Sequence, residues 1–175
     1  EIARRESTAW LMTGQLYEAR RDVERAVDSF RKAVEADPTA VAPYERLIPL
    51  LLLQGETDES REYALQAAKQ STEGLQVVRA LGAVLNQQGQ VEEAVGLFKD
   101  ALANAHEGGN RLSALLLHRD LGLLFHTGGD PEQASENLRA VLQALVDGDE
   151  PLTSEETAEV LGSDPASMCD VIGQA

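Results

Sequence analysis

Gly89-Gln90-Val91-Glu92-Glu93-Ala94-Val95-Gly96-Leu97-Phe98-Lys99-Asp100-Ala101-Leu102 decides how the rest of the chain is read. Val91, Ala94, Val95, Phe98 and Leu102 recur at helical spacing, so they line one face of an amphipathic helix. Leu75, Val78, Leu81 and Leu85 mark a second helix just ahead, and Gln88-Gly89 parts the two. Neither helix buries its apolar stripe alone. The chain supplies neighbours at a fixed interval. Stepping back 34 residues, Gly82 maps to Ile48 and Gly14, Ala94 to Ser60 and Ala26, Phe98 to Ala64 and Phe30, and Ala101 to Ala67 and Ala33. A period of that length predicts a solenoid, in which each helical hairpin covers the exposed face of the last.

Composition agrees. At 175 residues the chain is long enough for one well-buried domain, and it is 43% hydrophobic but only 4% aromatic. Its core is therefore built from Leu, Val and Ala, which suits packed helices better than a β-sandwich. Thirty acidic residues against 15 basic ones leave a net charge of −15. Such a surface repels nucleic acid and anionic membranes, so neither is expected as a partner. Only Lys32, Lys69 and Lys99 are lysines, a bias that suits a salt-rich cytoplasm as well as it suits an ordinary acidic scaffold. Cys169 is the one cysteine, which rules out an internal disulfide and a multi-Cys metal site. Leu47-Ile48-Pro49-Leu50-Leu51-Leu52-Leu53 is the longest apolar run, far short of the ~20 residues of a membrane span. The chain opens on Glu1 rather than Met and shows no signal-peptide pattern, so it is expected to be excised from something longer. A cytoplasmic setting is the default expectation, and a leader removed upstream would leave no trace in this sequence.

The first repeat carries a family resemblance. Trp10, Gly14, Tyr17, Ala26, Phe30, Ala33 and Pro38 stand at the spacing of the tetratricopeptide repeat, and the chain resembles that family from Ser7 to about Gly148. The resemblance implies an all-α, right-handed α-solenoid of four helix-turn-helix hairpins. These occupy about 7–40, 41–74, 75–108 and 115–148 within an array over 1–148, followed by an acidic helical cap over 149–175. Gly14, Gly82 and Gly122 are expected where paired helices approach closely, with Ala26, Ala94 and Ala134 opposite. The second repeat departs from the pattern. Ile48 stands at the small-residue position, Ala64 replaces the aromatic, and Pro49 falls in a helix interior, where it predicts a bend. Six residues, Gly109 to Ala114, are inserted before the fourth repeat and are expected to lengthen its first helix.

The tail changes character after Arg139, the last basic residue. Thr153-Ser154-Glu155-Glu156 has capping-box spacing and opens a short helix, and Asp164-Pro165 suits the start of another carrying Met168, Val171 and Ile172. Both are expected to cover Leu138, Val141 and Leu142. Leu152 to Met168 also resembles the helix-turn-helix of bacterial regulators, which makes a bacterial source the natural expectation. Pro165 to Ala175 carries no Arg or Lys, however, so DNA recognition is not expected of it.

No constellation points to catalysis, a metal or a cofactor. His118 and His126 lie eight residues apart on one helix, ~12 Å along its axis, too far to share one zinc. His106 belongs to the preceding repeat. Cys169 sits among acids, which raises a thiol's pKa, and Gly108-Gly109 and Gly128-Gly129 lack the Lys-Ser/Thr of a phosphate loop. What the resemblance implies is a concave groove lined by the first helix of each hairpin, which holds a partner's extended peptide or helix. Carried over by position, the groove presents Gln15, Glu45, Arg79, Asn86, Arg119 and His126 among its polar residues, with Thr8, Leu11, Ala42, Pro49, Gln76, Leu116 and Leu123 beside them. The Lys/Asn/Arg clamp by which one subfamily grips chaperone carboxylates is replaced by Leu11, Gln15, Arg46, Gln76 and Ala80, so that ligand is not expected. Arg79 and Arg119 predict a ligand with at least one carboxylate near the third and fourth repeats. Asp120 and Glu93 are equally placed to pair with them. The alternative is a structural element through which a larger protein self-associates by its end repeats.

Overall fold

A computed structural model of the chain describes residues 1–147 and 152–162. Among these residues there are nine helices and no strand: α1 (Ile2–Ala19), α2 (Val23–Ala36), α3 (Val41–Gln54), α4 (Thr57–Gln70), α5 (Leu75–Gln87), α6 (Val91–Glu107), α7 (Arg111–Thr127), α8 (Pro131–Asp147) and α9 (Ser154–Leu161). The first eight form four successive hairpins at the expected intervals, an all-α helical-repeat fold of the solenoid type. Contacts divide the chain into two compact units, Glu1–Leu81 and Gly82–Ala175, with the boundary inside α5. The expected second tail helix, with Met168, Val171 and Ile172, lies outside the described residues, as does Cys169.

Each hairpin turns in the same way. The amides of Asp22, Glu56, Gln90 and Asp130 donate back to the carbonyls of Tyr17, Leu51, Leu85 and Phe125, at 2.9–3.0 Å. This is the long hydrogen bond of a Schellman-type helix end, and it requires a left-handed residue just before the donor. Gly55, Gly89 and Gly129 supply that conformation at φ 82°, 79° and 81°, whereas the first hairpin uses Arg21 at φ 60°. Glycine adopts it without strain, and arginine does not.

Within the Glu1–Leu81 unit, α1 packs on α2, α2 on α3, and α3 on α4. A Cβ on Gly14 would collide with the Phe30 ring, so the missing side chain is what lets the ring in. The second hairpin reverses the sizes: Ile48 and Ala64 are both buried, so bulk moves from the second helix to the first. Tyr44 stands 34 residues after Trp10 and is fully buried. Its hydroxyl donates to the Pro38 carbonyl at 3.0 Å, its ring meets that of Tyr63 edge-on at 6.3 Å, and burial pushes its pKa up to about 12. Arg31 ties α2 to α4 by two parallel bonds to Glu59, at 2.9 and 2.7 Å. That geometry raises the arginine's pKa, chiefly through the Glu59 hydrogen bond. α3 runs unbroken across Pro49, whose ring is exposed.

In the Gly82–Ala175 unit the small-against-large pairing recurs. Phe98 fills the space over Gly82, and a Cβ on Gly122 would sit 2.6 Å from Leu138 Cγ. The insertion is shared between two helices rather than given to one. α6 and α7 are both 17 residues long, where α2, α3 and α4 are 14, so α6 gains a turn at its end and α7 one at its start. Asn110 caps the lengthened α7 by accepting from the Ser113 amide at 3.1 Å. The tail helix α9 opens with the expected capping box, in which Thr153 and Glu156 exchange bonds of 2.8 and 3.2 Å. It packs against α7.

Candidate partner-binding face

Residues at i, i+3 and i+7 of a helix share one face. In the first helices of the four hairpins that register holds Thr8, Leu11 and Gln15 on α1, Ala42, Glu45 and Pro49 on α3, Gln76, Arg79 and Ala83 on α5, and Leu116, Arg119 and Leu123 on α7. Gln15, Glu45 and Arg79 belong to the Glu1–Leu81 unit, and Asn86, Arg119 and His126 to the other. Gln15 and Glu45 are exposed and Arg79 half-buried, its Nη1 donating to Gln76 Oε1 at 3.1 Å. Beside this stripe, Arg46 of α3 reaches Glu18 of α1 at 3.9 Å. The stripe is open on α1, α3 and α5.

On α7 the same register is covered. Leu116 is 1% and Arg119 7% exposed, and Leu123 is half-buried. Arg119 Nη1 donates to the carbonyls of Glu159 at 2.6 Å and Val160 at 3.2 Å, while its Nε and Nη2 donate to Asp120 Oδ1 at 3.0 and 2.8 Å. Asp120 thus pairs with Arg119, as its neighbouring position allows, and α9 takes the other side of the guanidinium. Asn86 and His126, at matching positions on α5 and α7, are both exposed. Nothing in the sequence of α9 announces its contact with Arg119, since a helix of eight residues with one buried side chain has no legible partner.

Two further features of the Gly82–Ala175 unit bear on chemistry. The rings of His106 and His118 lie 6.0 Å apart, although they come from different repeats. His118 Nδ1 is 3.0 Å from Asn137 Oδ1, and Asn137 uses its Nδ2 to bond the Gln133 carbonyl, so the imidazole is the donor. Among the described residues no three His, Cys, Asp or Glu side chains are grouped to hold a metal ion, and no helix is long and apolar enough to cross a membrane. An open cleft of about 830 Å³ runs along α8 past Glu132, Ser135, Glu136 and Arg139.

Helical hairpins repeated at a fixed interval in the sequence are the mark of a helical-repeat protein. Two models of the tetratricopeptide repeat match the sequence, over residues 2–41 and 75–145, and together span more than half of it. The chain belongs to the tetratricopeptide-repeat family. Among solved structures, repeats of a putative kinesin light chain from Podosopora anserina superpose with a TM-score of 0.51 at 18% identity, over 99% of this chain and 89% of theirs. Pseudomonas aeruginosa PilF matches at 0.47 and 22% identity, over 99% of this chain and 78% of its own. YrrB, described as a tetratricopeptide-repeat protein with an unusual peptide-binding site, matches at 0.45 and 17%, over 94% and 90%. At these identities the likeness is one of fold. No curated protein sequence matches the chain.

Proposed function

We propose that the chain is a non-catalytic scaffold that holds a peptide or helix of a partner protein on the open faces of its first helices. Tetratricopeptide repeats support the general role of a protein–protein interaction scaffold. The observation that carries the finer reading is the stripe 8/11/15, 42/45/49 and 76/79/83, which stays solvent-accessible on α1, α3 and α5 and is covered on α7. Gln15, Glu45 and Arg79 are the polar contacts proposed on one unit, Asn86 and His126 on the other. Asparagine suits an extended peptide, because its amide pairs with both a backbone donor and an acceptor. Arg79 favours a carboxylate-bearing ligand. Replacing Glu45 by Arg and Arg79 by Glu together is expected to weaken capture of a native partner from host lysate at least tenfold with an unchanged melt. Equal capture by wild type and variant places the contact elsewhere.

A second reading rests on α1. Ala9 is exposed while its counterparts Pro43, Val77 and Leu117 are buried, and Leu16 is 51% exposed while Leu50 and Leu124 are buried and Val84 is 38% exposed. Met12 lies between them, also exposed. Among the described residues nothing covers this apolar face, which favours self-association through the first hairpin. Sedimentation decides: a dimer that Met12→Glu and Leu16→Glu dissolve supports it, and a monomeric wild type removes it.

A further inference from the structure

Among the described residues, the face of α7 that carries Arg119 differs from its equivalents on α1, α3 and α5 in one respect: it has an occupant. α9 ends at Leu161, and Gly162 follows at φ 70°. The last carbonyls of a helix lack intrahelical partners and form the negative end of its dipole. Arg119 donates to two of them, those of Glu159 and Val160, and meets that end with a positive charge. Its own orientation is fixed by Asp120, which accepts from Nε and Nη2 and leaves Nη1 aimed at α9. Val160 beside it is fully buried. At the other end of α9, Glu156 is held below the ordinary carboxylate range, first by the Thr153 amide and in smaller part by Arg111.

These contacts specify what the face recognises. The guanidinium fixes polarity, because only a C-terminal helix end offers it free carbonyls. One aliphatic side chain in the last turn fills the space that Val160 takes. A glycine after the helix brings the chain past Arg119, whose Nη1 would lie 3.5 Å from a Cβ on Gly162. A helix of eight residues is too short to persist in isolation, so α9 owes its structure to this dock.

We propose that the Arg119 face of α7 is a helix-docking site, that α9 is its self-supplied occupant, and that an external helix of the same chemistry binds by displacing it. The proposal rests on the reading of the first-helix faces as binding surfaces and names the guest and the guard of one of them. The probe is a labelled peptide of residues 152–162, followed by fluorescence anisotropy on the full chain. Wild type, with α9 seated, is expected to bind it at least tenfold more weakly than Val160→Asp, in which α9 is expelled. Adding Arg119→Gln to Val160→Asp is expected to return the affinity at least tenfold toward zero, and a scrambled peptide is expected to bind none of the three. If Val160→Asp loses helix content, Val160→Ala serves in its place, with a gain of at least threefold expected. Equal binding by wild type and the Val160 variant, no binding by either, or indifference to Arg119→Gln overturns the proposal. Those outcomes leave the Glu45 and Arg79 result untouched, so the wider reading stands or falls separately.

Discussion

Arg21 occupies at φ 60° the turn position that Gly55, Gly89 and Gly129 hold in the other hairpins. An L-residue there costs roughly 1–2 kcal/mol, partly offset by the extra freedom glycine has in the unfolded chain. Arg21→Gly is therefore expected to stabilise the protein by about 0.5–1 kcal/mol in urea melts, and a loss of stability would mean the arginine side chain makes up the difference. The pairs Gly82–Phe98 and Ile48–Ala64 allow a sharper test, since they fill the same register with opposite sizes. Gly82→Ile alone should overpack against the ring and cost about 1–3 kcal/mol, and Phe98→Ala alone about 3–5 kcal/mol through its cavity. Made together they reproduce the second hairpin's arrangement. The double variant is expected to recover at least ~1 kcal/mol relative to the sum, and additive costs would show that the two positions do not share one space.

Among the elements, α3 shows how far a helix tolerates a local contradiction. Pro49 removes the amide bond to the Glu45 carbonyl, yet α3 continues to Gln54, and the ring is exposed. Pro49→Ala is expected to stabilise by up to ~3 kcal/mol in denaturant melts, and destabilisation would reveal neighbours fitted to the proline. The eight hairpin helices were legible because period, glycine turns and apolar stripes all repeat, each occurrence correcting the others. The insertion was legible in length but not in placement. Nothing in Gly109 to Ala114 says that α6 would take a share. Among the candidate site residues, Gln15, Glu45, Arg79, Asn86 and His126 are accessible at the positions the register assigns. Arg119 fits the same register, but its environment is set by α9, 40 residues on, and no periodicity reaches that far. The capping box of α9 also carries a pH dependence. Glu156 has a depressed folded pKa, so its contribution is present above the ordinary carboxylate value and is lost as pH falls through the depressed one. Hydrogen-exchange protection of α9 is accordingly expected to decline in acid, and Glu156→Gln should flatten that decline.

For the molecule as a whole, the governing quantity is charge. Thirty acidic residues face 15 basic ones, so −15 is spread over 175 residues. The pairs seen at Arg5–Glu1, Arg25–Asp22 and Arg46–Glu18 are exposed and of the kind that contributes about 0–1 kcal/mol each. Arg31–Glu59 and Arg119–Asp120 are better shielded, but they are local and already matched in charge. What remains is an acidic excess that repels itself and opposes the compact state. Salt screens repulsion between exposed charges more than a Debye length apart, about 10 Å at 0.1 M, and leaves the shielded pairs largely intact. Raising KCl from ~0.02 M to ~0.5 M is therefore expected to raise Tm by several degrees, with most of the gain below ~0.2 M, where the Debye length changes fastest. Calorimetry at fixed pH measures it, and the shape of the curve is as informative as its sign. A Tm that falls with salt would mean the few ion pairs outweigh the net charge. A rise that persists well beyond the screening range would point instead to a chain adapted to a salt-rich cytoplasm, in keeping with its excess of acid and its three lysines.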